Sequence, residues 1–122
     1  MARQLRVLFI VHLVIAAALG LLLLIMPGRF LLALGWAPID PIVSRVLGAA
    51  LLALGWGSYR AARLRNPAEL HVLLEVDLAF CALGTLGVLR HIVVAHWPWM
   101  VWALLVVLVA WTAAWAWVRA RS

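Results

Sequence analysis

The sequence predicts an all-α integral membrane protein, a four-helix bundle, on three observations. Hydrophobic residues make up 69% of the 122 residues and charged ones 11%, and the mean hydropathy is +1.15, far from the balance of a soluble domain of this length. The apolar residues gather into four runs, each long enough to cross about 30 Å of hydrocarbon as a helix. Between the runs stand turn and capping signals built on Pro27, Pro38, Pro41, Pro67 and Pro98, where a helix is ended or restarted.

The first span is expected at about 6–26, with His12 the sole polar side chain from Val7 to Met26 and Pro27-Gly28 ending it. Arg3 and Arg6, then an apolar run and Ala16-Ala17-Ala18, have the outline of a signal peptide. The apolar run continues through Met26, however, so the segment is read as a retained span. Residues 29–36 are apolar but too short to cross, and Gly35, Pro38 and Pro41 break them, so they are read as an interfacial segment with Trp36 near the headgroups. Asp40-Pro41 has the form of an N-cap followed by proline at the first helical position, which opens a second span at 41–60. Ala49, Ala53, Gly57 and Ala61 recur every fourth residue there and predict a small-residue stripe against which another helix packs.

Arg60, Arg63 and Arg65 close that helix, and Asn66-Pro67-Ala68-Glu69 resembles a capping box that opens a third span at 68–89. Arg90, His91 and His96 are placed in a short connection leading to Trp97-Pro98-Trp99. The fourth span follows at 98–118, with Thr112 its only clearly polar residue, and Trp36, Trp97 and Trp99 are the expected interface anchors. Leu-Leu-Ala-Leu-Gly-Trp occurs at both 31–36 and 51–56. One copy falls in the interfacial segment and the other inside a span, so an internal repeat is rejected, and residues 1–122 are read as a single membrane domain.

Charge completes the topology. The formal net charge is +6 and the pI about 11.6, values that would point to nucleic acid in a soluble protein. Here all the basic residues are arginines, mostly at the ends of apolar runs, where they set topology and meet lipid headgroups. Nucleic acid is therefore not an expected partner. Arg3, Arg6, Arg60, Arg63, Arg65, Arg119 and Arg121 outweigh Arg29, Arg45 and Arg90 across the membrane, which predicts both termini in the cytoplasm and a multi-pass protein of the cell inner membrane. Cys81 is the lone cysteine, so an internal disulfide and CxxC chemistry are excluded.

The chemistry centres on Glu75 and Asp77, two acids within the third span. A carboxylate in hydrocarbon costs several kcal/mol unless it is paired, neutralised or wetted. Two positions apart on a helix means roughly 200° of rotation, so the two acids face nearly opposite ways and cannot form one acid/base dyad. Counting from the cytoplasmic end at about 1.5 Å per residue places His12, Trp56, Ser58, Tyr59, Trp111 and Thr112 near the level of the acids, roughly 8 to 10 Å deep. The functional reading is an intramembrane polar layer of His12, Ser58, Tyr59, Glu75, Asp77 and Thr112, with His12 pairing an acid and exchanging protons. The plainer reading is a satisfied polar network that fixes helix register, and it is preferred. Arg45 is expected near the opposite surface, reaching outward or contacting lipid phosphate or another anion. His71 stands one turn before Glu75, and His91 and His96 lack further ligands, so no metal site is expected.

The stretches Pro27-Gly28-Arg29-Phe30-Leu31-Leu32 and Arg45-Val46-Leu47-Gly48-Ala49-Ala50-Leu51-Leu52-Ala53-Leu54-Gly55, continued to the turn at 60–67, resemble small four-helix bacterial membrane proteins, DoxX-like ones among them. The resemblance spans about half the chain and implies the fold and a bacterial inner membrane; it implies no reaction, ligand or cofactor. The expected function is a non-catalytic accessory or scaffolding subunit of a larger membrane complex, with membrane lipids and other subunits or further copies of itself as partners. The alternative is a small homo-oligomeric transporter or channel using Glu75, Asp77 and His12 in proton or ion exchange. A second alternative is haem or chlorin bound through one histidine, His12 or His71. An enzyme comes last, because the sequence holds neither a paired-acid motif, a nucleophile beside a base nor a metal cluster.

Overall fold

A computed structural model describes residues 2–36, 40–94 and 99–121. These residues form five helices and no strand: α1 (Ala2–Ile25), α2 (Pro27–Ala33), α3 (Pro41–Arg63), α4 (Pro67–Val94) and α5 (Trp99–Arg121). Four helices, all but α2, are long and apolar enough to cross a membrane. The chain divides into two compact units, Met1–Glu69 and Leu70–Ser122.

In the first unit α1 and α3 run antiparallel and pack along their length. Buried positions on α1 recur every three or four residues at Leu5, Phe9, His12, Ala16, Gly20 and Leu23, the spacing of one helix face. At one close approach glycine faces glycine. A Cβ on Gly48 would lie 2.7 Å from the Leu24 nitrogen and 2.8 Å from the Gly20 oxygen, and one on Gly20 would lie 2.9 Å from the Gly48 oxygen. Only hydrogen at both positions lets the backbones come this near. Farther along, Gly55 faces Leu13, Ala16 and Ala17 at ordinary contact distances of 3.6–3.7 Å.

Local chemistry fixes the ends. α2 stops in a Schellman arrangement: Gly35 adopts φ +76°, its N–H donates to the Leu32 carbonyl at 3.0 Å, and the Trp36 N–H donates to the Leu31 carbonyl at 2.9 Å. Asp40 caps α3, its Oδ1 accepting from the N–H groups of Ile42 at 2.9 Å and Val43 at 3.0 Å, with Pro41 first in the helix. Before α4, the Asn66 side chain accepts from the Ala68 N–H at 3.1 Å and its amide donates to Glu69 at 3.2 Å. The cap therefore reaches the first N–H of the helix, Pro67 having none, and Glu69 braces the capping amide rather than the capping backbone.

In the second unit α4 and α5 also run antiparallel, with Gly84 against Leu108 and Thr85 beside Thr112. The expected third span ended at 89, with Arg90 and His91 in a connection; α4 instead continues to Val94 and takes both into the helix. No proline interrupts residues 90–94, and β-branched Ile92, Val93 and Val94 do not stop a helix. This extension sets the register of the hairpin. Trp97, Pro98 and His96 lie outside the described residues.

Candidate functional site

Each unit builds its own polar positions. In the first, His12 and Ser58 are both buried, at 6% and 1% exposure, and Nδ1 of the ring shares a 2.8 Å hydrogen bond with Ser58 Oγ. Either partner can donate, according to the imidazole tautomer. Antiparallel packing brings them level, because Gly20 with Gly48 and Ala16 with Gly55 mark the same helix contact on the way to them. Tyr59 stands one residue on and faces elsewhere: its ring lies 5.3 Å from that of Trp56, and the Arg63 guanidinium sits 4.8 Å over it.

Arg45 Nη1 donates to the Leu24 carbonyl at 2.7 Å. Leu24 is in the last turn of α1, whose carbonyls have no partner within the helix, so the guanidinium closes a helix end and places positive charge at the negative pole of its dipole. Arg45 stays exposed beyond that bond. In the small-residue stripe, Ala61 is buried and Gly57 half-buried, while Ala49 and Ala53 are exposed. The approach of α1 is made through Gly48 and Gly55, about 100° around α3 from Ala49 and Trp56. Trp36 is half-buried and Trp99 exposed.

In the second unit the acids diverge. Asp77 is buried at 4% exposure, whereas Glu75 is 54% exposed and its Oε1 accepts from Arg119 Nε at 2.9 Å. Beside Glu75 on the outer face stand Val72 and Val76, themselves exposed. The ion pair is thus flanked on α4 by two exposed apolar side chains. His71, half-buried, precedes Glu75 by one turn.

Thr112 was expected at the level of Glu75, and the hairpin corrects this. Thr112 Oγ1 lies 3.4 Å from Thr85 Oγ1, ten residues along α4 from Glu75 and so about 15 Å farther along the helix axis. Each hydroxyl also donates to its own helix, Thr112 to Leu108 at 2.7 Å and Thr85 to Cys81 at 2.8 Å. Arg119 occupies the level assigned to Thr112. The reason is the register: counting from 68 and 118 presumed helices meeting after 89, and α4 runs five residues farther, to Val94, about one and a half turns.

Sequence reasoning passed over Thr85, Arg119, Gly20 and Gly48. Arg119 was counted only as a topology charge, although its long side chain can reach an acid a turn or more away. Among the described residues no three His, Cys, Asp or Glu side chains gather as a metal ion requires. Comparison with known families, with curated proteins and with solved structures finds no match to this chain.

Proposed function

We propose that the chain is a non-catalytic accessory or scaffolding subunit of a larger bacterial membrane complex, crossing the inner membrane four times with both termini in the cytoplasm. The observation that carries this reading is the Glu75–Arg119 pair, half exposed on the outer face of α4 and α5 among Val72 and Val76. Glu75 lies about 10 Å along α4 from the start of its span, and Arg119 stands in the last turn of α5; a charge pair held among apolar side chains near this boundary is stabilised when a neighbouring helix covers it. Trp56, Trp102 and Trp117 add large exposed side chains within the spans, of the kind enriched where membrane and soluble interfaces are buried.

The first test is to extract native membranes in mild detergent and identify by native electrophoresis and mass spectrometry what the chain migrates with. Co-migration with a large complex that is weakened by Glu75→Gln or Arg119→Gln is the expected result. A small homo-oligomer insensitive to both substitutions would sink the subunit reading. A second reading, a small oligomeric transporter or channel, draws on Asp77 and His12, both buried within spans. It predicts flux in liposomes that Asp77→Asn abolishes while assembly stays intact. An absorption spectrum of the same native band tests haem or chlorin at His12 or His71.

A further inference from the structure

Between α1 and α3 an open groove of about 370 Å³ is lined by Leu13, Ala17, Leu52, Gly55, Trp56 and Tyr59. It exists because Ala17 and Gly55 are small where the two helices face each other, while Trp56 and Tyr59 rise beside them as a wall. Trp56 is 63% exposed, so the groove opens outward. Its lining is apolar along about 10 Å of α3, from Leu52 to Tyr59. At the Tyr59 end the chemistry changes at once: the Arg63 guanidinium rests 4.8 Å over the Tyr59 ring, and the Tyr59 and Trp56 rings are 5.3 Å apart. An aromatic pair thus links a fixed cation to an apolar trough.

The same end of the unit is strongly basic. Antiparallel packing sets the start of α1, with Arg3 and Arg6, beside the end of α3, with Arg60 and Arg63, and all four are exposed. The acids of this unit are fewer than these arginines, and each has another hydrogen-bond partner. Asp40 caps the opposite end of α3, and Glu69 is engaged by the Asn66 amide.

We infer that the groove is a binding site for an anionic phospholipid, one acyl chain lying between α1 and α3 along Gly55 and Ala17 and the phosphate at Arg60 and Arg63. A guanidinium at the membrane surface favours an anionic lipid by roughly fivefold, and two by up to roughly thirtyfold. The inference rests on the chain residing in a bilayer; it does not depend on the chain being a subunit.

The test uses the full chain, purified in mild detergent, stripped of lipid and titrated with phosphatidylglycerol or phosphatidylcholine of identical acyl chains, with bound lipid read by native mass spectrometry. The expected result is one retained phosphatidylglycerol, favoured roughly ten- to thirtyfold over phosphatidylcholine. The pair Arg60→Gln and Arg63→Gln, both exposed and safe for folding, should bring the two lipids to near parity. Ala17→Leu, which fills the groove, should lower retention of both by about tenfold with helix content by circular dichroism unchanged. Equal retention of the two lipids by the native chain, unchanged preference in the arginine pair, or a second copy of the chain in place of lipid would each overturn the site. Release of the chain from membranes by alkaline carbonate alone would overturn its residence in the bilayer and the lipid site with it.

Discussion

Single atoms decide most in the first unit. At Gly48 an added methyl meets backbone at 2.7–2.8 Å, and backbone cannot rotate away as a side-chain tip can. Gly48→Ala is expected to force α1 and α3 apart and to destabilise the fold by about 1–3 kcal/mol, measured by loss of helix in a titration from mild detergent into denaturing detergent. Gly55→Ala places its methyl at 3.6 Å from Ala16 and should be close to neutral. Gly87 has nothing within 4 Å of an added Cβ, so Gly87→Ala should stabilise by up to about 1 kcal/mol through helix propensity. Equal effects at all three would refute a steric origin. The His12–Ser58 bond is tested by a double-mutant cycle with His12→Phe and Ser58→Ala, expected to return a coupling of about 0.5–3 kcal/mol; a coupling near zero would mean the pair merely lies close. His12 was legible in the sequence as the one polar residue of an apolar run. Its partner was legible only as a depth, since Ser58, Tyr59 and Trp56 were equally compatible with that level.

Among the elements, the helix ends are governed by a few bonds that the sequence names outright. Asp40 accepts from two N–H groups of α3, and Asp40→Ala should cost about 0.5–2 kcal/mol, seen as earlier fraying of that helix in amide hydrogen exchange. Gly35 holds φ +76° with open space around it. Gly35→Ala should therefore cost about 1–2 kcal/mol from backbone conformation alone, whereas Gly35→Asn, a residue that tolerates this region, should recover part of it. The caps at Asp40 and Asn66 were readable because they are local, a side chain and a backbone group two or three residues apart. The end of α4 was not, because residues 90–94 carry neither a breaker nor a strong helix signal. That single omission moved Thr112 from the level of Glu75 to that of Thr85.

At the scale of the whole molecule, four helices can cross a bilayer by length and composition, and the excess of arginine at 3–6, 60–65 and 119–121 predicts both termini on the cytoplasmic side. Reporter fusions at either terminus should report cytoplasm, and one placed after Trp36 should report the opposite side; the inverse pattern would reverse the topology, and agreement between all three would refute a crossing by the first helix. The exposed apolar surface, with Val14, Val43, Val72, Leu83 and Val106 each more than 60% exposed, is what hydrocarbon would cover in place of a packed core. Specific contacts are accordingly concentrated where the surface is not simply apolar: the small-residue seam of α1 and α3, the ion pair of α4 and α5, and the aromatic wall below Arg63. Assembly, flux and lipid retention probe these places separately.

One hexapeptide separates what sequence determined from what tertiary structure decided. Leu-Leu-Ala-Leu-Gly-Trp at 31–36 ends a helix with its glycine at φ +76°, and the same letters at 51–56 run inside α3 with Gly55 against α1. Flanking residues account for the difference: Pro38 follows the first copy, and Gly57-Ser58-Tyr59 follow the second. Sequence by itself therefore determined helix against turn, the four long apolar runs, the caps, and the opposed directions of Glu75 and Asp77, because each follows from bonded neighbours and helical rotation. Tertiary structure decided which glycines touch, that Ser58 is partnered with His12, and that Arg119 rather than Thr112 meets the level of Glu75. Those depend on the axial register of one helix against another, which side-chain packing and the length of the connecting hairpin set and which no local pattern encodes.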